Sequence, residues 1–172
     1  MKIVRLSSNH RSALASFLKQ LDRRTTHDYT HFGYRIGKPT ETADRILKGI
    51  TGGEMLGYAL LDKKRILGFG HLDFFSRKEK EHVVKLGIVL HQRYQGKGFG
   101  KKLLDSMIAD AARMGIEKIW LATYADNPRS LDLYRSRGFI VEGVFRREEK
   151  VHGRYRDVMS MALFLNRTKE RD

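Results

Sequence analysis

The stretch that most constrains this chain is Gln95-Gly96-Lys97-Gly98-Phe99-Gly100-Lys101-Lys102. It follows the apolar run Leu86-Gly87-Ile88-Val89-Leu90, which reads as a buried strand. It leads into Leu103, Leu104, Met107, Ile108, Ala111 and Ala112, whose spacing marks one face of a helix. A glycine-rich turn therefore joins a strand end to a helix start. The first N–H groups of a helix have no partner within it, and the helix dipole favours negative charge there. Glycines admit a ligand close to that backbone, and Lys97, Lys101 and Lys102 add full charges. The turn is built to hold an anion of the phosphate class.

Two common phosphate loops do not fit. A dinucleotide loop, G-x-G-x-x-G, needs glycine where Lys101 stands. A P-loop, G-x-x-x-x-G-K-[ST], needs glycine at His91 and a hydroxyl residue at Gly98.

Around this turn the chain alternates strand and helix signals. Residues 2–6 read as a first strand, and Ser8 or Asn9 caps a helix with Leu14, Phe17, Leu18 and Leu21 on its apolar face. Residues 23–38 mix polar and aromatic side chains without a period and read as a loop. Pro39 opens a short helix through Ile46 and Leu47, closed by Gly49. Residues 55–61 and 65–74 form two strands joined by a tight turn, and residues 82–90 form the strand feeding the glycine turn. Gly115 closes the next helix, and residues 116–123 form another strand. Asn127-Pro128 starts a helix carrying Leu131, Leu133 and Tyr134, ending at Gly138. Residues 140–144 and 145–150 are extended, and His152-Gly153 turns a hairpin into residues 154–165. The pattern predicts one domain over residues 1–172, a mixed sheet with helices on both faces and a frayed tail at 166–172.

Composition limits the chemistry. Without cysteine there is no disulfide, no thiol nucleophile and no Cys-ligated metal. No apolar run approaches the ~20 residues of a membrane helix. The start lacks a signal-peptide core, so a cytoplasmic protein without membrane contact is expected. The formal charge of +14 favours anionic partners without choosing among them.

Gln95 to Gly100 matches the Q/R-x-x-G-x-G/A signature of the GNAT superfamily of acyl-CoA-dependent N-acetyltransferases. The run from Leu86 to His91 resembles the family's fourth strand, and Asn127 to Phe139 resembles its N-x(6)-Y-x(3)-G-F segment. Glu142-Gly143 and Gly153 to Val158 resemble the closing hairpin of branches that acetylate small amines or protein N-termini. The resemblance covers residues 54–164 well and the first fifty weakly. It implies an α+β, three-layer fold: a mixed, mostly antiparallel sheet of about seven strands with about four helices and splayed fourth and fifth strands.

The same resemblance implies roles. Acetyl-CoA is the co-substrate, with no metal. Its pyrophosphate would rest on Gln95, Gly96, Lys97, Gly98, Phe99, Gly100 and Lys101, and its pantetheine arm along Ile88, Val89 and Leu90. The Leu90 N–H would meet the acetyl oxygen as charge develops there. Tyr134 would protonate the departing thiolate, and Asn127 would contact the pantetheine arm as well as cap its helix. The glutamate that many relatives carry on the fourth strand is Val84 here, so the general base does not carry over. Glu81 and His82 lie nearby, and a histidine's ordinary pKa suits the task. Water-mediated deprotonation and a base from the loop holding His27, Asp28, Tyr29 and His31 stay open, and that loop also holds the candidate acceptor-binding residues.

The expected reaction is acetyl transfer to a primary amine, a small metabolite or a peptide N-terminus, by direct attack in a ternary complex. Between Arg135 and Arg156 seven basic residues face three acidic ones, which would repel a polyamine if that face lined the acceptor site. The rival readings are an acyl-CoA sensor without turnover and a basic module docking on ribosome or nucleic acid. Nucleic acid is disfavoured because no nucleic-acid-binding motif is present. An exposed closing hairpin permits a homodimer without demanding one.

Overall fold

The computed structural model of the chain describes residues 1–21 and 38–165. Its sheet begins as a meander in which β1 (Lys2–Arg5), β2 (Met55–Asp62), β3 (Arg65–Phe74) and β4 (Val83–Leu90) each pair antiparallel with the next. Between β1 and β2 lie α1 (Arg11–Gln20) and α2 (Pro39–Thr51). Helix α3 (Phe99–Arg113) then carries the chain to β5 (Lys118–Tyr124), which runs parallel to β4. Helix α4 (Pro128–Arg135) leads to the hairpin of β6 (Ile140–Val151) and β7 (Arg154–Phe164). Strand β7 inserts beside β5, giving the order β1-β2-β3-β4-β5-β7-β6. The result is the expected α+β fold, a mixed and mostly antiparallel seven-stranded sheet between helical layers.

Strand alternation divides the interior into two cores. Leu72 of β3 with Val84 and Leu86 of β4 pack with Leu103, Leu104 and Met107 of α3. Phe69 and Val89, on the opposite face, pack with Leu14 and Phe17 of α1 and Ala43 and Ile46 of α2. Helices α1 and α2 thus cover one face of the early strands, and α3 covers the other.

Three boundaries differ from the sequence expectation. Ser7, not Ser8 or Asn9, closes the approach to α1: its N–H donates to His10 Nδ1 at 3.1 Å and a 3-10 turn intervenes. Helix α2 runs through Gly49 to Thr51. Gly49 is buried against Met55, whose sulfur would lie 3.1 Å from an added Cβ, so this glycine serves packing rather than termination. The two extended pieces after residue 140 are one strand whose register shifts between Phe145 and Glu149.

Candidate active site

Strands β4 and β5 pair only where Val83, Val84 and Lys85 face Lys118, Ile119 and Trp120. Beyond that point β4 keeps its pairing with β3, and β5 keeps its pairing with β7. The two strands therefore diverge, and one edge of β4 is left to a cleft. Which groups face the cleft follows from alternation. The His91 N–H donates to Leu67 of β3 at 2.9 Å, whereas the His82 carbonyl accepts from Glu117 and Lys118 on the β5 side. With no register shift in between, Leu86, Ile88 and Leu90 turn their backbone N–H and C=O toward the cleft.

The glycine turn closes one end of this cleft. Gly96 and Gly98 have φ of +73° and +79°, a left-handed conformation that favours glycine. An added Cβ at either would meet nothing within 4 Å, so the backbone there stands open. Gly98 is the N-cap of α3, and the first bond into the helix runs from Lys102 N–H to Gly98 C=O at 3.2 Å. The N–H groups of Phe99, Gly100 and Lys101 precede that bond at a positive dipole end. Gly100 is buried, and its packing against Leu90 sets the helix close to β4. Gln95 ties the parts together. Its Nε2 donates to the Leu90 carbonyl at 3.1 Å, and its Oε1 accepts from Arg129 of α4 at 2.6 Å.

Turn and cleft join in one cavity of about 820 Å³. Of the residues singled out in the sequence, Ile88, Val89, Leu90, Gln95, Gly96, Gly98, Gly100, Lys101, Asn127 and Tyr134 line it. Lys97 and Phe99 do not; the Lys97 ammonium lies 5.8 Å from the Tyr94 ring, and Phe99 meets that ring edge-on. Asn127 caps α4, its Oδ1 accepting from Ser130 N–H at 3.2 Å. Tyr134 is buried beside Phe139, with ring centres 5.6 Å apart. Burial alone pushes its phenol up, which keeps the proton on the oxygen.

His82 does not join them. It is exposed at the paired end of β4, where its carbonyl helps to hold β5, and the cleft opens at the other end. About six residues of extended strand, roughly 20 Å, separate it from Ile88. Val84 is fully buried in the core under α3. His27, Asp28, Tyr29 and His31 lie outside the described residues.

The fold also brings His71, which the sequence reading did not single out, to the cavity. It is 2% exposed and stacks on Phe69, and its Nδ1 lies 2.9 Å from Asp73 Oδ1. Lys85 stands across from Asp73 on β4 and also lines the cavity. Burial pushes the Lys85 ammonium down, and Asp73 partly offsets this. A signal for the pair was present in the sequence. His71 and Asp73 are two residues apart in an otherwise apolar strand, hence on one face, and buried polar groups need partners.

A parallel strand pair that splays beside a glycine-lined helix start defines a class of acyltransferase. The family model described as "Acetyltransferase (GNAT) family" matches residues 18–139. The chain belongs to this family and is an acetyl-CoA-dependent N-acetyltransferase. It is 28% identical over 137 residues to the L-amino acid N-acyltransferase MnaT of Escherichia coli, covering 77% of this chain and 80% of that one. Over 103 residues it is 36% identical to the N-alpha-acetyltransferase RimI of Mycobacterium tuberculosis, covering 60% of this chain and 56% of that one. Over 87 residues it is 32% identical to the spermidine N(1)-acetyltransferase of Vibrio cholerae, covering 48% of this chain and 50% of that one. An acetyltransferase of the GNAT family from Streptococcus pneumoniae has the same fold, with a TM-score of 0.80 at 23% identity over 95% of this chain and 98% of that one.

Proposed function

We propose that this enzyme moves the acetyl group of acetyl-CoA to the primary amine of a small metabolite or a peptide N-terminus, by direct attack in a ternary complex. The observation that carries the reading is the continuous cavity from the open backbone at Gly96 and Gly98, along the free edge of β4, to Tyr134. In this reading the turn from Gln95 to Lys101 holds the pyrophosphate, and the β4 edge at Ile88 pairs with the amides of the pantetheine arm. The Leu90 N–H meets the acetyl oxygen as it gains charge, and Tyr134 gives its proton to the departing sulfur. The Asn127 oxygen is committed to its cap, so its amide NH2 is the group left for the ligand. With no cysteine in the chain, no acyl group passes through a protein thiol.

The relatives support acceptors of this class, since their names describe L-amino acid N-acylation, spermidine N(1)-acetylation and N-alpha-acetylation. The basic surplus between Arg135 and Arg156 argues less against a polyamine than its count suggests. Arg137 pairs with Asp105, Arg146 with Asp157 at 2.6 Å, and Arg156 with Asp126 at 2.5 Å.

Two measurements test the reading. Acetyl-CoA at a hundred times its Kd should stabilise the fold by about 2.7 kcal/mol. That is a Tm rise of about 5–10 °C for a chain of this size. Thiol release from acetyl-CoA should appear with one or more members of a panel of L-amino acids, spermidine and a short peptide. Stabilisation by acetyl-CoA without thiol release across that panel would overturn the assignment.

A further inference from the structure

We infer that His71, held by Asp73, accepts the proton that the acceptor amine loses as it attacks; the inference rests on the amine-acetyltransferase reading above. The geometry comes from an absence on the neighbouring strand. His71 stands opposite Gly87 in the β3–β4 register, so a side chain at 87 would occupy the same face beside it. An added Cβ at Gly87 would lie 2.0 Å from His71 Nε2 and 2.7 Å from Cε1. The imidazole therefore lies across β4 in the space that only glycine leaves. It reaches past its own strand toward the edge where Ile88 faces the cleft, and both residues line the cavity.

The partner of Nδ1 sets the ring's chemistry. An ionised carboxylate only accepts hydrogen bonds, so the contact with Asp73 at 2.9 Å places the hydrogen on Nδ1. Nε2 then carries the lone pair, directed over Gly87. When His71 gains a second proton, Asp73 stabilises the cation at the distance already present. Phe69, stacked at 5.6 Å, restricts the ring's tilt. Among the described residues, Lys85, across from Asp73, brings a further charge to this position.

The step balances with the two substrates alone. The amine nitrogen forms a bond to the thioester carbon, and the carbonyl π pair moves onto oxygen. The nitrogen's proton passes to His71 Nε2. The pair on oxygen then returns, the C–S bond breaks, and the sulfur leaves with its electron pair and takes the Tyr134 proton. The products are the N-acetyl amine and free thiol; His71 gives its proton to water, and Tyr134 takes one back from water.

The test uses the full chain, acetyl-CoA, and the panel amine that gives the fastest thiol release. His71→Gln should lower kcat by about 10²–10⁴-fold. The Tm rise with acetyl-CoA should be retained, because the glycine turn is untouched. Gly87→Ala leaves the imidazole chemistry intact but pushes the ring off β4, so it should also lower kcat. Added to His71→Gln it should cost little more, since both changes act on one group. A His71→Gln kcat within about threefold of the parent overturns the inference, as do losses that multiply in the double variant. Should His71→Gln fail to fold, Gly87→Ala alone decides, and an unchanged kcat overturns it. Thiol release by the parent with an unaffected His71→Gln defeats this inference only. No thiol release by the parent on any amine defeats the reading beneath it as well.

Discussion

Replacing Tyr134 by Phe removes one oxygen and keeps the ring. The side chain is 6% exposed, belongs to the larger core and packs beside Phe139. Burial pushes its phenol up, and no charge or hydrogen bond from a described residue counteracts it. Deleting the hydroxyl therefore strands no partner among the described residues. The unfolding free energy should change by less than about 0.5 kcal/mol, because the usual cost of a lost bond is a buried group left unsatisfied. In a chain of this size that is about 1–2 °C in Tm. Kinetics should respond on another scale. Loss of a positioned acid lowers kcat by about 10²–10⁴-fold, or roughly 2.7–5.4 kcal/mol at 1.36 kcal/mol per decade. The Tm rise with acetyl-CoA should persist, since the turn at Gly96 and Gly98 is unchanged. Tyr134→Ala would blur the result, because emptying a core ring site costs about 3–5 kcal/mol by itself. The assay is thiol release at saturating acetyl-CoA and amine, with thermal unfolding of the same samples. A kcat within about threefold of the parent would refute the acid role. A stability loss above about 1.5 kcal/mol would refute the claim that the hydroxyl has no partner among the described residues.

Three further outcomes follow from the same geometry. Gly98→Ala forces a Cβ into a left-handed position with open space around it, so it should cost roughly 1 kcal/mol of backbone strain and weaken acetyl-CoA binding; calorimetry giving the parent Kd would count against the cradle. Asn127→Ala removes the oxygen that accepts from Ser130 and should lower Tm by about 2–4 °C, the value of roughly 1 kcal/mol of capping; an unchanged Tm would show that the cap contributes nothing. Burial pushes the phenols of Tyr58 and Tyr134 up, with Arg5 partly opposing this at Tyr58. The folded state thus holds these protons more tightly than the unfolded chain, which releases its own near pH 10. Stability from these groups should be constant below about pH 10 and fall as pH rises beyond it. Denaturant unfolding that stays flat to about pH 11 would contradict that sign.

The glycine turn, the α3 helix behind it and the Asn127–Tyr134 segment were legible because their determinants are local. Left-handed positions need glycine, a cap needs a side-chain oxygen three residues before its N–H, and a helix face repeats every three to four residues. Those constraints act over a single turn of chain, and the structure places them where the spacing put them. Gly49 shows the limit of local reasoning. A glycine near a helix end suggests a stop, yet here its missing Cβ makes room for Met55 and the helix continues.

The sequence by itself determined the glycine-lined helix start and the capped helix that follows, since that information lies in one strand–turn–helix unit and one helix downstream. Only the tertiary structure decided where the cleft opens and what stands beside it. The opening depends on how far β4 and β5 stay paired, and Lys85 opposite Trp120 is the last pair. Which histidine lines the cavity, His71 rather than His82, depends on register across two strands, where a one-residue slip moves a side chain to the other face of the sheet. In the chain Gly87 is one more glycine sixteen residues after a histidine. In the fold the two are neighbours, and the side chain missing from one strand makes room for the ring of the next.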